Sequence, residues 1–204
     1  MHLVVYSDYL CPWCYNVAVR LERLEQDLGG AISIDWRSYL LRPRPAEHRD
    51  LERFREYTRS WLRPAAEADS GTFRPWKGNA GPPTWSVPPH RVAKAAGALG
   101  EAAFRRVHAG LLRAYFFENR DVTDPDTLRA VWREAELPDA EFARSEDPAL
   151  VERILDEHNE AISMGVTGVP AVRMADDDVA IVGAHPVSLY RRWIDRRRAD
   201  SSAA

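Results

Sequence analysis

Two cysteines, and only two, occur in this chain of 204 residues, and they share one tetrapeptide, Cys11-Pro12-Trp13-Cys14. The tetrapeptide directly follows the apolar run Leu3-Val4-Val5-Tyr6 and opens a stretch of helical periodicity. A thiol at the mouth of a helix faces unpaired backbone N–H groups and the positive end of the helix dipole, and both favour thiolate over thiol. A second thiol one turn further on can attack the first sulfur and release whatever it holds. The pattern therefore constrains the opening of the fold to strand, tight turn and helix, with a dithiol at the junction.

The rest of the opening agrees. Leu3 to Tyr6 reads as a short strand buried on both faces. Trp13, Val17, Leu21, Leu24 and Leu28 recur at steps of three and four, and Gly29-Gly30 stops the helix. Ile32, Ile34 and Trp36 alternate with Ser33, Asp35 and Arg37, which predicts a second strand. From Leu40 to about His90 the pattern is irregular: Leu51–Leu62 carries a weak helical period, and Gly71–Pro89 reads as a long ordered loop around Phe73, Trp76 and Trp85.

Helices are expected around Phe104–Tyr115, from Asp124-Pro125 through Trp132, briefly at Asp139–Ala143, and from Leu150 to Gly165, marked by Leu150, Ile154, Leu155, Ala161 and Ile162. Ala171–Met174 and Val179–Val182 predict a hairpin. Pro186 opens a last helix with Leu189, Tyr190, Trp193 and Ile194 inward and an arginine-rich face outward, and Ser201–Ala204 reads as a frayed tail.

Composition excludes several classes. Acidic residues outnumber basic ones, the net charge is −3, and the two signs are interspersed, so no nucleic-acid surface is expected. No apolar stretch is long enough to span a membrane. Met1 to Asp8 lack a secretory pattern, which points to the cytoplasm, where a Cys-x-x-Cys is catalytic or metal-binding more often than structural. A zinc site needs four ligands; there is no third cysteine, and His48, His90, His108, His158 and His185 are scattered and read as surface or capping residues. Among them only the loop of His90 is expected near the dithiol.

With Cys11-Pro12-Trp13-Cys14 at the first junction and Gly165-Val166-Thr167-Gly168-Val169-Pro170-Ala171 before the third strand, the chain resembles the DsbA family of thiol–disulfide oxidoreductases, and within it the cytosolic FrnE-like branch. Ser7-Asp8-Tyr9-Leu10, Tyr115–Asp124 and Val182-Gly183-Ala184 carry the likeness along nearly the whole chain. The resemblance implies an α/β, thioredoxin-like fold, with residues 1–40 and 166–200 as a discontinuous core and a large helical domain, 41–165, inserted between the second and third strands. Cys11 would be the partly exposed nucleophile and Cys14 the buried resolving thiol. Pro170 would follow a cis bond and place Val169 beside Cys11. Pro12, Trp13 and Val169 would contact substrate.

No bound cofactor is implied. A disulfide or thiol substrate is, with glutathione as a candidate recycling thiol and a homodimer left open. Where DsbA has histidine this chain has Trp13, whose indole brings no positive charge to the thiolate. A couple less oxidising than DsbA follows, between about −270 and about −120 mV. Within the same fold the alternative is a glutathione-dependent isomerase or transferase of the 2-hydroxychromene-2-carboxylate isomerase or kappa-class type, which generally has serine at the first position and needs no second thiol. A third reading is a non-catalytic module that holds chains on an apolar surface around Trp13, Trp76 and Trp85.

Overall fold

The computed structural model describes residues 1–47 and 49–203; His48 and Ala204 lie outside the described residues. Strand β1 (His2–Ser7), helix α1 (Pro12–Asp27) and strand β2 (Ser33–Ser38) form a parallel crossover, with Leu3 opposite Ile34 and Val5 opposite Trp36. The chain returns to the sheet only at β3 (Ala171–Met174), antiparallel to β1, and β4 (Ala180–Val182), antiparallel to β3. The four-stranded order is β2-β1-β3-β4. Strand β1 is thus central, and its apolar residues are buried on both faces. Leu3 and Val5 pack with Val17, Leu21 and Leu24 of α1 and with Tyr190 and Ile194 of the last helix. Val4 and Tyr6 pack on the opposite face against Tyr39, Ala161 and Val166.

Between β2 and β3 come α2 (Leu51–Thr58), a 3-10 turn at Arg59–Trp61, α3 (Leu62–Ala65), α4 (Val87–Gly97), α5 (Glu101–Phe116), α6 (Pro125–Glu134), a 3-10 stretch at Asp139–Glu146 and α7 (Pro148–Ser163). Their own core is aromatic: Trp61 stands edge-on to both Tyr115 and Phe116, and Phe54 packs edge-on to Trp76. Asp124 caps α6 by accepting from the Thr127 backbone N–H at 2.8 Å. Helix α7 closes the insertion and also covers the second face of the sheet through Ala161. The chain ends in α8 (Val187–Ala203).

Several local readings shift. The loop ends at Ser86, because Pro88 and Pro89 fall in the first turn of α4, where a missing N–H is harmless. Trp76 is core, only 2% exposed, which removes it from any apolar holding surface. On α7 Leu155 and Ile162 face outward, 38% and 50% exposed, while Glu157 faces inward. That inversion has a cause: Glu157 meets the Lys94 ammonium at 2.6 Å, so a charged pair occupies the place hydrophobicity alone would give to leucine. Strand β4 starts at Ala180, the Asp139 turn extends to Glu146, and α8 runs through the expected tail to Ala203. The arginine face of α8 is partly engaged, with Arg191 on Asp27 at 2.8 Å.

Candidate active site

The site grows from the turn between β1 and α1. Cys11 is the N-cap of α1 in an extended conformation, with no side-chain cap and proline in the first turn. Its backbone N–H donates to the Asp8 carbonyl at 3.1 Å, and the Cys14 N–H donates back to the Cys11 carbonyl at 3.1 Å. The two sulfurs therefore stand one turn apart at the helix mouth, both as free cysteines. From the far side of the sheet edge comes the segment before β3. The Val169–Pro170 peptide bond is cis, and the Cys11 Sγ donates to the Val169 carbonyl at 3.4 Å. Cys11, Cys14, Val169 and Pro170 thus meet, with Pro12 and Trp13 half-buried on the same first turn.

The two thiols differ in setting. Cys14 is sealed from solvent. Burial pushes its thiol well up, the neighbouring Cys11 pushes it further, and hydrogen bonds from the Asp8 backbone and the Ser7 hydroxyl pull the other way. Cys11 was expected to be partly exposed, yet it is only 4% exposed. The Val169 carbonyl lies against its sulfur.

The spacing argument gave no role to the groups that hold this turn. Asp8 is fully buried and accepts from the Leu10 N–H at 2.7 Å, the Leu41 N–H at 2.6 Å and the Ser86 hydroxyl at 2.6 Å. Burial pushes its carboxyl up to about 6, against the pull of those hydrogen bonds and of Arg42. One carboxylate thus ties the residue before Cys11 to the chain entering the insertion and to the chain entering α4. Only its place in Ser7-Asp8-x-x-Cys11 could have drawn attention to it.

Behind the turn, the Tyr9 hydroxyl meets His108 Nδ1 at 2.8 Å. Burial raises the Tyr9 phenol and pushes His108 down to about 3, so the hydrogen bond joins a neutral phenol and a neutral imidazole. His90 lies beside the same tyrosine ring, centroids 4.9 Å apart, and burial likewise pushes it well down. These two histidines are 5% and 9% exposed rather than surface residues; they back the site without touching the sulfurs. Among the described residues no cluster of three or more His, Cys, Asp or Glu side chains could hold a metal.

In front of the turn lies a cleft of about 290 Å3, lined by Leu10, Leu41, Arg42, Arg49, Tyr57 and Tyr115, with Phe54 at its floor. Tyr57 is close enough to feel the charge of Cys11. A smaller cleft of about 70 Å3 opens between α1, β2 and α5, lined by Tyr15, Trp36, Phe104 and His108; neither cleft has a cysteine in its lining. No helix among the described residues is long and apolar enough to cross a membrane.

With this geometry in hand, comparison with known proteins gives a consistent result. The model of the DSBA-like thioredoxin domain matches residues 2–195. No curated protein matches the chain by sequence. Among solved structures, the cytosolic disulfide reductase DsbM of Pseudomonas aeruginosa is 18% identical, with 100% of both chains covered and a TM-score of 0.77. A probable DsbA oxidoreductase of Streptomyces coelicolor is 23% identical, covering 96% of this chain and 89% of its own, at a TM-score of 0.76. A 2-hydroxychromene-2-carboxylate isomerase is 18% identical over 100% of both chains, at 0.69.

Proposed function

Because the chain belongs to the family of the DSBA-like thioredoxin domain, we propose that it is a thiol–disulfide oxidoreductase of the cytosolic, FrnE-like kind, working by dithiol exchange through Cys11 and Cys14. One observation carries the reading: a helix-capping sulfur, Cys11, lies 3.4 Å from the carbonyl of Val169 beside a cis proline, with a second free thiol directly behind it.

The exchange balances as follows. The Cys11 thiolate attacks a substrate disulfide, a Cys11–substrate disulfide forms, and the other half leaves as a thiolate. Cys14 then attacks the Cys11 sulfur, the Cys11–Cys14 disulfide forms, and the held half leaves. Two electrons pass to the substrate, and the protons of the two thiols end on the departing thiolates or in water. The Val169 carbonyl, freed from the Cys11 thiol, becomes available to a substrate backbone N–H. Multiple turnover then needs an external thiol. DsbM has also been solved with glutathione, which supports glutathione as the recycling thiol here.

The isomerase-like fold neighbour gives the second reading its place, but that chemistry has no task for a buried Cys14 thiol. Insulin reduction separates the two. Cys11→Ser is expected to abolish it, and Cys14→Ser to stall it as a mixed disulfide that can be trapped and identified by mass spectrometry. Glutathione-dependent turnover that survives Cys14→Ser would favour the isomerase or transferase instead.

A further inference from the structure

The cleft beside the Cys11 turn is lined by two arginines and by no carboxylate. We propose that it selects disulfides carrying a carboxylate on an aromatic or similarly apolar flank, with Arg42 and Arg49 recognising the anion. This rests on the exchange reading above and specifies its substrate class.

Leu10 in the cleft's lining directly precedes Cys11 in the chain, and Tyr57, also in that lining, lies close enough to feel the charge of Cys11, so the cleft opens beside the Cys11 turn. Its walls are apolar and aromatic, from Leu10, Phe54, Tyr57 and Tyr115. Two of the wall residues remain open to solvent at the mouth, Leu41 at 47% and Tyr57 at 53%. No carboxylate lines it, while two guanidinium groups do.

The two arginines hold different positions. Arg42 is exposed, and its guanidinium has neither an ion pair nor a hydrogen bond among the described residues. Arg49 is half-buried: it donates to the Pro83 carbonyl and sits 4.9 Å from the centre of the Phe54 ring. Burial and the charge of Arg42 both disfavour its cation, and Asp121, itself half-buried beyond the cleft, answers it only through space. Arg42 is answered through space by the buried Asp8 carboxyl and Arg49 by Asp121, but neither makes a direct ion pair among the described residues, so an anion in the cleft completes the site. Guanidinium also matches carboxylate in a planar, two-point geometry. The aromatic walls supply the apolar part of the recognition.

The prediction is kinetic. Reduced protein is mixed in single turnover with three disulfides: 5,5′-dithiobis(2-nitrobenzoate), aromatic and anionic; 4,4′-dithiodipyridine, aromatic and neutral; and cystamine, cationic. Each rate constant is divided by that of 2-mercaptoethanol with the same reagent, which cancels leaving-group reactivity. At low ionic strength the normalised rate for the anionic reagent should exceed that for the neutral one by about tenfold, with cystamine lowest, and salt should compress the spread. Arg42→Gln, an exposed change with no fold to endanger, should lower the anionic-to-neutral ratio about three- to tenfold. Arg49→Gln should do the same, judged only after its melting curve matches the parent. Arg196→Gln, exposed on α8 away from the cleft, should keep the ratio.

Equal normalised rates for all three reagents, or a ratio untouched by both cleft variants, would overturn the proposal. Failure of the underlying reading looks different: none of the reagents would convert the Cys11–Cys14 pair to its disulfide.

Discussion

The two sides of the Cys11 turn are built on opposite rules. Behind it, buried polar groups are largely paired: Tyr9 with His108, Asp8 with three donors, Lys94 with Glu157, while the Nε2 atoms of His90 and His108 have no partner. In front, cations and apolar faces are left open around Leu41, Arg42 and Tyr57. The rear therefore carries stability and the front is free to carry recognition. A matched buried layer fixes where Cys11 points, whereas an unmatched, exposed one has binding energy still to use. If that division is right, changes behind the turn should be read in unfolding experiments and changes in front of it in rates.

The largest effect is expected at Glu157. Its carboxylate receives the Lys94 ammonium at 2.6 Å and the Ser38 backbone N–H at 2.7 Å, with only 10% of the side chain exposed. Burial already disfavours the Lys94 cation, and Glu157 is what offsets it. Glu157→Gln keeps the shape and leaves that ammonium without its counter-charge, a change that costs about 3–5 kcal/mol. Urea unfolding at neutral pH measures it. A loss below about 1 kcal/mol would show that the rear layer does not depend on matched charge.

Acid sharpens the same contrast. His90 and His108 are held neutral by burial, so below their ordinary range, near 6.5, the unfolded chain binds protons that the folded chain refuses. Each of them destabilises the fold as pH falls, with a slope approaching about 1.4 kcal/mol per pH unit. Asp8 acts with the opposite sign. Its carboxyl, raised from 3.8 to about 6, takes up a proton in the folded state first and stabilises the fold as pH falls through that window. Two against one leaves a net acid destabilisation, to which the half-buried His158, also held down by burial, adds in the same direction. His108→Phe removes one of the destabilising contributions, so the loss of stability between pH 6 and pH 4 should become shallower than the parent's, whatever the variant's starting value. Urea midpoints across that range give the slope, and a slope as steep as the parent's would assign the acid limb elsewhere.

These features also mark where the amino-acid pattern is informative and where it is not. The strand–helix–strand opening is legible because Leu3–Tyr6 and the α1 periodicity are local signals, and the cysteines declare their own position. The insertion's core is less so: Trp76 lies in an irregular, Gly- and Pro-rich stretch, and only its packing against Phe54 shows that it is interior. Helix α7 misleads for a physical reason, since Glu157 is inward where Lys94, 63 residues earlier, and the Ser38 backbone N–H meet it. The Asp8 clamp joins residues 33 and 78 positions apart from it, and no periodicity reports such a contact. Arg42 and Arg49 look like any other arginines in a chain with only two lysines.

The smallest effect on stability is expected in front of the turn. Leu41 is 47% exposed at the cleft mouth, although its backbone N–H is held by Asp8. Leu41→Gln leaves that N–H and its bond in place and removes only a half-solvated apolar surface, so unfolding should shift by no more than about 0.5 kcal/mol. Exchange should feel it more. The wall that an apolar substrate flank would rest on becomes polar, and reduction of an aromatic disulfide should slow by about two- to fivefold, relative to a small aliphatic disulfide such as 2-hydroxyethyl disulfide. A rate effect without a stability effect is what separates a recognition surface from a structural one. If the variant instead loses more than about 1 kcal/mol with unchanged relative rates, the front of the turn is structural as well, and the division between its two sides fails.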